Sequence, residues 1–374
     1  MILPAGGPVC NASIRSHLMP GMKARVVAPH ELTSRDVAAW EECAANALEP
    51  NPFLEPGWLL PALEHLDESP RAVLVLAERG GAVHACVPLV ERVARPKGTA
   101  ARTTRSVLET RVVPTVVPVG TPLVLADGGP EAVECVGTEM GRLAAERRST
   151  LVVMDSMVTD GPVAALIEGV TAAMGVALIR FDSWERGFLQ RAGGDDEYWL
   201  RSIGKNRRRT IRQHRRRLEE VIGGEATVRV ADDDKTLEDF LRLEMAGWKG
   251  REPEGLAFGR SPATAELFRA TCHAYMERGR LAFLCLDGPE GPAAMICSIR
   301  AGEGLFAYRT AYDERLARYG PGVQVFLATM EYFDRSTDAA WLDTCAAPDN
   351  QHLLELFPDR RHLARVMVRV HADR

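Results

Sequence analysis

The chain has 374 residues, of which 46% are hydrophobic and 26% are charged. These values are ordinary for a globular protein and exclude disordered and fibrous classes. The length predicts two or three domains, and no stretch approaches the roughly 20 apolar residues of a membrane span. The formal net charge of −5 excludes a protein that is basic over its whole surface.

Cysteine and histidine spacing argues against a metal site. The eight cysteines form no CxxC pair, and the nine histidines show neither HExxH nor HxH spacing. Scattered cysteines of this kind are typical of reduced, mostly buried thiols in a cytoplasmic protein. The first residues contain no basic segment before an apolar run, so no signal peptide is predicted.

Hydrophobic periodicity and turn residues divide the first half of the chain into short elements. Thr33 or Ser34 is a suitable N-cap for the first helix, and Arg79-Gly80-Gly81 predicts a hairpin turn. The predicted elements are a strand at 24–28, helices at 33–47 and 56–66, strands at 72–77 and 83–90, an extended segment at 107–119, a helix at 130–147, a strand at 151–154, a helix at 161–174 and a strand at 176–181.

The second half repeats this order. The predicted elements are a strand at 227–230, helices at 237–248 and 262–278, strands at 281–286, 293–300 and 305–312, a helix at 323–333, a strand at 341–343, a helix at 350–357 and a strand at 366–370. Both halves therefore have the order β-α-α-β-β-β-α-β-α-β. This repetition predicts an α/β (α+β) protein built as a tandem structural duplication.

A glycine-rich turn precedes the third helix of the second half. Gly320-Pro321-Gly322 leads from a strand into a helix N-terminus, where free backbone N–H groups and the helix dipole favour a pyrophosphate. The alternative is a tight turn with no ligand.

Several segments together resemble a known family. They are Asn51-Pro52-Phe53-Leu54 with Trp58, the basic segment from Lys205 to Leu218, Trp248-Lys249, and Tyr312-Asp313 followed by Pro321-Gly322. With the element order, they resemble the GNAT acyltransferases, and more specifically the tandem-GNAT proteins of the CelD/BcsL type, over about residues 25–370. The family's phosphate loop is Q/R-x-x-G-x-G/A, and Ala317 occupies its first position here.

The resemblance implies two GNAT-like domains, each with a mixed, mostly antiparallel sheet flanked by helices. It divides the chain into a flexible N-terminus (1–20), a degenerate GNAT-like domain (21–182), a linker strand with the basic helix (183–224) and a GNAT domain with the donor site (225–374). Asp127-Gly128-Gly129-Pro130, at the equivalent helix of the degenerate domain, is expected to be a surface loop that binds no phosphate.

The resemblance also implies direct transfer of an acyl group from acyl-CoA, with acetyl-CoA favoured, to the amine of a small molecule or amino acid. The donor's pantetheine arm would lie where the fourth and fifth strands separate. Gly320, Pro321, Gly322 and Val323 would bind the pyrophosphate. Ala311 and Tyr312 would flank the pantetheine.

Acyl transfer requires a base near the amine and a proton donor for the thiolate. The candidate bases are Glu244, Asp313 and Asp343, and Tyr308 or Tyr312 could act as the acid. Each has a structural alternative: a solvated helix residue for Glu244, a loop cap for Asp313 and a strand-end hydrogen-bonding group for Asp343. Cys345 is expected to be a buried small residue rather than a nucleophile.

Positive charge is concentrated in one segment. Nine Lys or Arg residues and no acid lie between Arg201 and Arg217, on a predicted amphipathic helix. One interpretation is a solvated surface helix, and the other is contact with an anionic carrier, either tRNA or an acyl carrier protein. The residues predicted to bind the carrier are Lys205, Arg208, Arg212 and Arg215.

Three functional hypotheses follow. The first is a CoA-dependent N-acyltransferase, and the second is a Fem-like transferase that uses aminoacyl-tRNA. The third is a non-catalytic accessory protein of polysaccharide biosynthesis. A monomer is expected because the duplication supplies within one chain what GNAT dimers form by association.

Overall fold

A computed structural model describes residues 21–66, 72–94, 105–110, 118–147, 149, 151–192, 198–251, 255–348 and 350–369. The segment predicted to be flexible, 1–20, lies outside these ranges. The helices are α1 (Ser34–Ala45), α2 (Pro56–His65), α3 (Gly129–Glu146), α4 (Pro162–Ala173), α5 (Tyr198–Ser202), α6 (Lys205–Ile222), α7 (Asp234–Ala246), α8 (Pro262–Met276), α9 (Pro321–Ser336) and α10 (Gln351–Leu356).

The described strands form one 13-stranded, mostly antiparallel sheet. They are β1 (Lys23–Val27), β2 (Ala72–Arg79), β3 (Ala82–Ala94), β4 (Arg105–Glu109), β5 (Leu123–Val124), β6 (Leu151–Val158), β7 (Leu178–Gln190), β8 (Thr227–Ala231), β9 (Leu281–Gly288), β10 (Gly291–Ala301), β11 (Gly304–Tyr312), β12 (Trp341–Asp343) and β13 (Asp359–Arg369). Their spatial order is β1-β2-β3-β4-β6-β13-β7-β12-β11-β10-β9-β8, with β5 beside β3.

The two halves exchange their last strands. β7, the last strand of the first half, pairs with β12 of the second, and β13, the last strand of the chain, pairs with β6 of the first. The long antiparallel pair β7–β13 joins the halves at the centre of the sheet. The domain boundary predicted at residue 182 lies within β7. It stays a prediction.

The order of the predicted helices and strands agrees with the structure, except that the short strand β5 was not predicted. Most other differences lie at element ends. β13 begins at Asp359, seven residues before the predicted strand. The sequence did not predict this part because its first residues are charged and lack an apolar pattern, and their extended form depends on pairing with β7. The predicted basic helix is broken near Gly204, which separates α5 from α6. Part of the extended segment predicted at 107–119 lies outside the described residues.

The helices cover both faces of the sheet. On one face, α1 and α2 of the first half and α7 and α8 of the second share a single hydrophobic cluster. On the other face, α3 and α4 form one cluster, and α6, α9 and α10 form another. The duplicated halves therefore share a core on one face and keep separate cores on the other.

The segment Asn51-Pro52-Phe53-Leu54 connects the halves within the shared core. The Asn51 side chain is fully buried and donates to the carbonyls of Val119 and Thr121 at 3.0 and 2.8 Å. The hydroxyl of Tyr275, on α8, donates to the Pro52 carbonyl at 2.6 Å. The family-like motif thus serves to dock the first half onto the second.

A buried charge cluster lies at the central strands. The Asp343 carboxylate accepts from Arg186 at 2.6 Å and from Arg361 at 2.7 Å, and its side chain has no exposed surface. Burial alone would raise the pKa of Asp343, but the two guanidinium charges outweigh it and hold that pKa below its usual range. The cluster ties β12 to both exchanged strands.

We predict that Asp343→Asn lowers the unfolding free energy by about 3–5 kcal/mol, because it leaves two buried guanidinium groups without their counter-charge. Urea unfolding at pH 7 measures the change. The stabilisation from Asp343 is present above the unfolded pKa of about 3.9 and is lost as the pH falls through the lower folded value. The unfolding free energy of the variant should therefore depend less on pH in the acid range than that of the wild type.

The matched control is Glu331→Gln, which removes a carboxylate from an exposed pair with Arg335 on α9 and should change stability little. Equal stability of Asp343→Asn and this control would contradict a structural role for the cluster.

Candidate active site

A wedge opens in the sheet between β11 and β12. The two strands run parallel and pair only from Gly304–Trp341 to Phe306–Asp343. β12 ends there, while β11 continues to Tyr312. Beyond Phe306, one edge of β11 therefore has no neighbouring strand among the described residues.

A bulge marks the start of the wedge. The register between β10 and β11 shifts by one residue, so Tyr308 has no opposing residue on β10. Bulges of this kind bend a strand and change the direction of its side chains. The Asp313 N–H donates to the Ala293 carbonyl, which makes 313–293 a hydrogen-bonded pair. By alternation along an antiparallel ladder, the backbone groups of Thr310 and Tyr312 point into the wedge.

The glycine-rich turn lies beside this wedge. Gly320 has a left-handed backbone with φ of +62° and precedes Pro321 at the first position of α9. No side chain caps the helix, so its first N–H groups remain available to an anion. A Cβ at Gly322 would meet only the Tyr312 ring, at 3.7 Å.

A groove of about 440 Å³ borders the start of α9, and α6 forms its far wall. The Gln324 side chain donates to the Ile211 carbonyl at 3.0 Å, which fixes α6 to α9. Arg207 of α6 pairs with Glu355 and donates to the His352 carbonyl on α10. The basic helix therefore bridges α9 and α10 across the groove. The lining residues are Asn206, Arg207, Thr210, Ile211, His214, Gly320, Val323, Gln324 and His352.

Glu244 belongs to a buried polar cluster behind β11. Its carboxylate accepts from the Arg309 side chain at 2.6 Å and from the Phe258 N–H at 2.9 Å, and Lys249 Nζ lies 3.6 Å away. Lys249 Nζ also donates to the Thr310 carbonyl at 2.5 Å. The structure thus places an acid, a lysine and an arginine next to the bulge.

Tyr308 lies in an aromatic cluster contributed by both halves. Its ring is 5.3 Å from Phe53, 4.9 Å from Trp58 and 6.3 Å from Phe258, measured between centroids. Its buried hydroxyl has no hydrogen-bond partner among the described residues. Burial raises the pKa of Tyr308 well above its ordinary value, so the phenol is protonated at neutral pH.

The other predicted acids lie apart from this cluster. Asp313 caps the turn Glu314–Tyr319 and pairs with Arg315 at 2.6 Å, and hydrogen bonds from Arg315 lower its pKa. Asp343 is held by its two arginines, as described above. The structure therefore brings Glu244 and Tyr308 to the bulge and gives Asp313 and Asp343 structural partners.

The remaining candidates flank the wedge. Ala311 is buried in the shared core, and half-buried Tyr312 packs in the cluster of α6 and α9. Cys345 follows β12 with a left-handed φ of +51°, and burial raises its pKa well above the ordinary value. A thiol in that state is a poor nucleophile.

The corresponding helix start of the first half carries its own acid. The Glu131 carboxylate lies near Gly128, at the start of α3, and Arg79 pairs with Asp127 beside it. Between α3 and α4 the sheet carries an apolar pocket. An acidic group at the helix entry and an apolar pocket do not suit a pyrophosphate.

The cations of α6 divide into paired and unpaired groups. Arg215 pairs with Glu219 at 2.8 Å and donates to the Ala226 carbonyl, so it is held at the end of the helix. Lys205, Arg208 and Arg212 have no ion pair among the described residues.

Sequence reasoning gave Lys249 no catalytic role and did not single out His214. The signal for Lys249 was its place in the Trp248-Lys249 motif, but only the fold shows that this turn runs along β11. His214 lies near Gly320, across the groove.

A comparison with known protein families finds a match within the second half of the chain. Residues 205–349 match the family model described as an acetyltransferase (GNAT) domain. Residues 205–349 form a GNAT domain. With the duplicated element order, the chain has the fold of two tandem GNAT-like domains. No curated protein matches its sequence.

Solved structures share the fold at low sequence identity. A FemX protein is 12% identical with a TM-score of 0.55, and the match covers 90% of this chain and 96% of FemX. A conserved protein from Bacteroides thetaiotaomicron is 10% identical with a TM-score of 0.56, covering 91% and 98%. The C-terminal domain of a protein named as a lysylphosphatidylglycerol synthetase from Agrobacterium fabrum is 8% identical, with a TM-score of 0.54 and coverage of 90% and 91%.

Among the described residues, no helix is long and apolar enough to cross a membrane. The same residues contain no group of three or more His, Cys, Asp or Glu side chains that could hold a metal ion.

We predict that Tyr308→Phe leaves the unfolding free energy unchanged or raises it by up to about 1 kcal/mol, because it removes a buried hydroxyl without a protein partner. Tyr275→Phe is the matched control and should lower it by about 1 kcal/mol, since it removes the bond to the Pro52 carbonyl. Urea unfolding compares the two. Equal losses would show that the Tyr308 hydroxyl is hydrogen-bonded in solution.

Proposed function

We propose that the protein is an N-acyltransferase that moves an acyl group, with acetyl favoured, from acyl-CoA to the amine of a small molecule or amino acid. The observation that carries the proposal is the open edge of β11, which ends at an uncapped helix entry with glycines at 320 and 322. An extended thioester arm can hydrogen-bond to such an edge as an added strand does. Its pyrophosphate then meets the N–H groups of α9.

The proposed reaction needs no covalent enzyme intermediate. The amine attacks the thioester carbonyl, the C–N bond forms, the C–S bond breaks, and the amine's proton reaches the thiolate. Glu244 and Tyr308 are the proposed acid–base pair because both lie at the bulge. The first half contributes Phe53 and Trp58 to the wall behind Tyr308 and so is proposed to shape the acceptor side.

We predict that Gly322→Asp abolishes binding of CoA and acetyl-CoA while the fold is retained. The carboxylate would occupy the position of the pyrophosphate, and an acid in the first turn of a helix stabilises the helix itself. Calorimetric titration measures binding, and thermal unfolding checks the fold.

The matched control is Gly322→Ala, whose Cβ makes only an ordinary contact with Tyr312 and should keep most of the affinity. If Gly322→Asp bound CoA as tightly as this control, α9 would not hold the pyrophosphate. A cooperatively folded wild-type protein that binds no CoA would refute the CoA-dependent function and leave the Fem-like transferase and the non-catalytic accessory role as the alternatives.

A second candidate function is Fem-like transfer from aminoacyl-tRNA, which is favoured by the cations of α6 that have no ion pair among the described residues. Phosphate contacts by Lys205, Arg208 and Arg212 would make tRNA binding fall steeply with salt. An acyl carrier protein is the alternative anionic partner for the same surface.

We predict that the double variant Arg208→Ala/Arg212→Ala reduces the magnitude of the slope of log tRNA affinity against log salt concentration by about two. Each lost phosphate contact accounts for about one. Filter binding at several salt concentrations measures this slope. Lys235→Ala, on α7 and so across the sheet from α6, is the control and should leave the slope unchanged. An unchanged slope in the double variant would argue against tRNA at this helix.

A further inference from the structure

The turn Trp248–Gly250 lies against the open edge of β11. Lys249 Nζ donates to the Thr310 carbonyl, a backbone group that faces the wedge. Trp248 lies beside the Tyr312 hydroxyl two residues further along the strand. The lysine amine is therefore located on the strand edge along which a thioester arm would bind.

The charges around Lys249 leave its ammonium weakly compensated. Glu244 is its nearest carboxylate at 3.6 Å, but that group already accepts shorter bonds from Arg309 and from the Phe258 N–H. Arg309 adds a like charge on the same side. Glu314 accepts from the Trp248 N–H and pairs with Arg251, and the Tyr312 phenol also faces the turn.

This environment favours the neutral amine. Burial, and then the charge of Arg309, lower the pKa of Lys249 to about 7, while Glu244 acts in the opposite direction. A neutral lysine amine is a nucleophile, whereas an ordinary surface lysine is almost fully protonated at pH 7.

We propose that Lys249 is a self-acylation site, which is modified by the bound acyl-CoA when no acceptor amine is present. This inference rests on the proposed function. The Lys249 nitrogen attacks the thioester carbonyl, the C–N bond forms and the C–S bond breaks. The proton lost from the nitrogen goes to the CoA thiolate, so the products are an N-acyl-lysine and free CoA.

The modification has a consequence for the site. An amide is not an acyl donor under these conditions, so the group stays on Lys249. The added acyl group would occupy the wedge beside Thr310 and replace the Lys249 amine next to Glu244. Self-acylation would therefore weaken later binding of the donor.

The test is incubation of the full-length protein with acetyl-CoA, without any added amine, followed by peptide mass spectrometry. Lys249 should gain one acetyl group, at least about tenfold faster at pH 7.5 than Lys235, because the two differ in neutral fraction. Lys235 is an exposed lysine on the neighbouring α7 and reports ordinary chemical acetylation. The rate at Lys249 should saturate with acetyl-CoA concentration and become independent of pH above about pH 8.

Two variants separate the site from background chemistry. Gly322→Asp should remove acetylation of Lys249 and leave that of Lys235 unchanged, whereas Gly322→Ala should preserve both. Lys249→Arg has no amine that can be acylated, so no acetyl group should appear at position 249, while Lys235 should react as in the wild type.

The outcomes distinguish this inference from the proposed function. If acetyl-CoA does not bind in calorimetry, the proposed function fails and this inference fails with it. If acetyl-CoA binds but Lys249 stays unmodified, or reacts no faster than Lys235, the self-acylation site is wrong and the acyltransferase proposal stands.

Discussion

The exchange of the last strands between the two halves is the constraint on which the rest of the structure depends. Because β7 and β13 lie side by side between β6 and β12, neither half completes its sheet alone. Asp343, at the end of β12, binds one arginine from each exchanged strand. Since Asp343 is also the last β12 residue paired with β11, the same contact fixes where the wedge begins.

The shared core on one face follows from this arrangement. The exchanged strands bring α1 and α2 against α7 and α8, and the motif at Asn51 closes the junction through Tyr275. Phe53 and Trp58 then lie against Tyr308 at the bulge. The first half therefore helps to form the second half's candidate site, although its own helix entry carries Glu131.

On the opposite face, the groove and the basic helix form a polar surface at the start of α9. α6 is fixed there by Gln324 and Arg207, which join it to α9 and α10. Arg207 is occupied by these contacts, while Lys205, Arg208 and Arg212 have no ion pair within the described part of the chain. The division explains how a strongly basic helix can be both a structural bridge and a candidate surface for an anionic partner.

The sequence by itself determined the element order, the duplication and the glycine-rich helix entry, because each is encoded by local periodicity and turn residues. It also placed Glu244, Tyr308, Asp313 and Asp343 as candidates. Only the tertiary structure distinguished Asp343, bound by two distant arginines, from Glu244 at the bulge. The strand exchange, the added length of β13 and the position of Lys249 against Thr310 could not be predicted, because they depend on pairing between residues far apart in the chain. Such pairing leaves no periodic signal in either partner's own sequence.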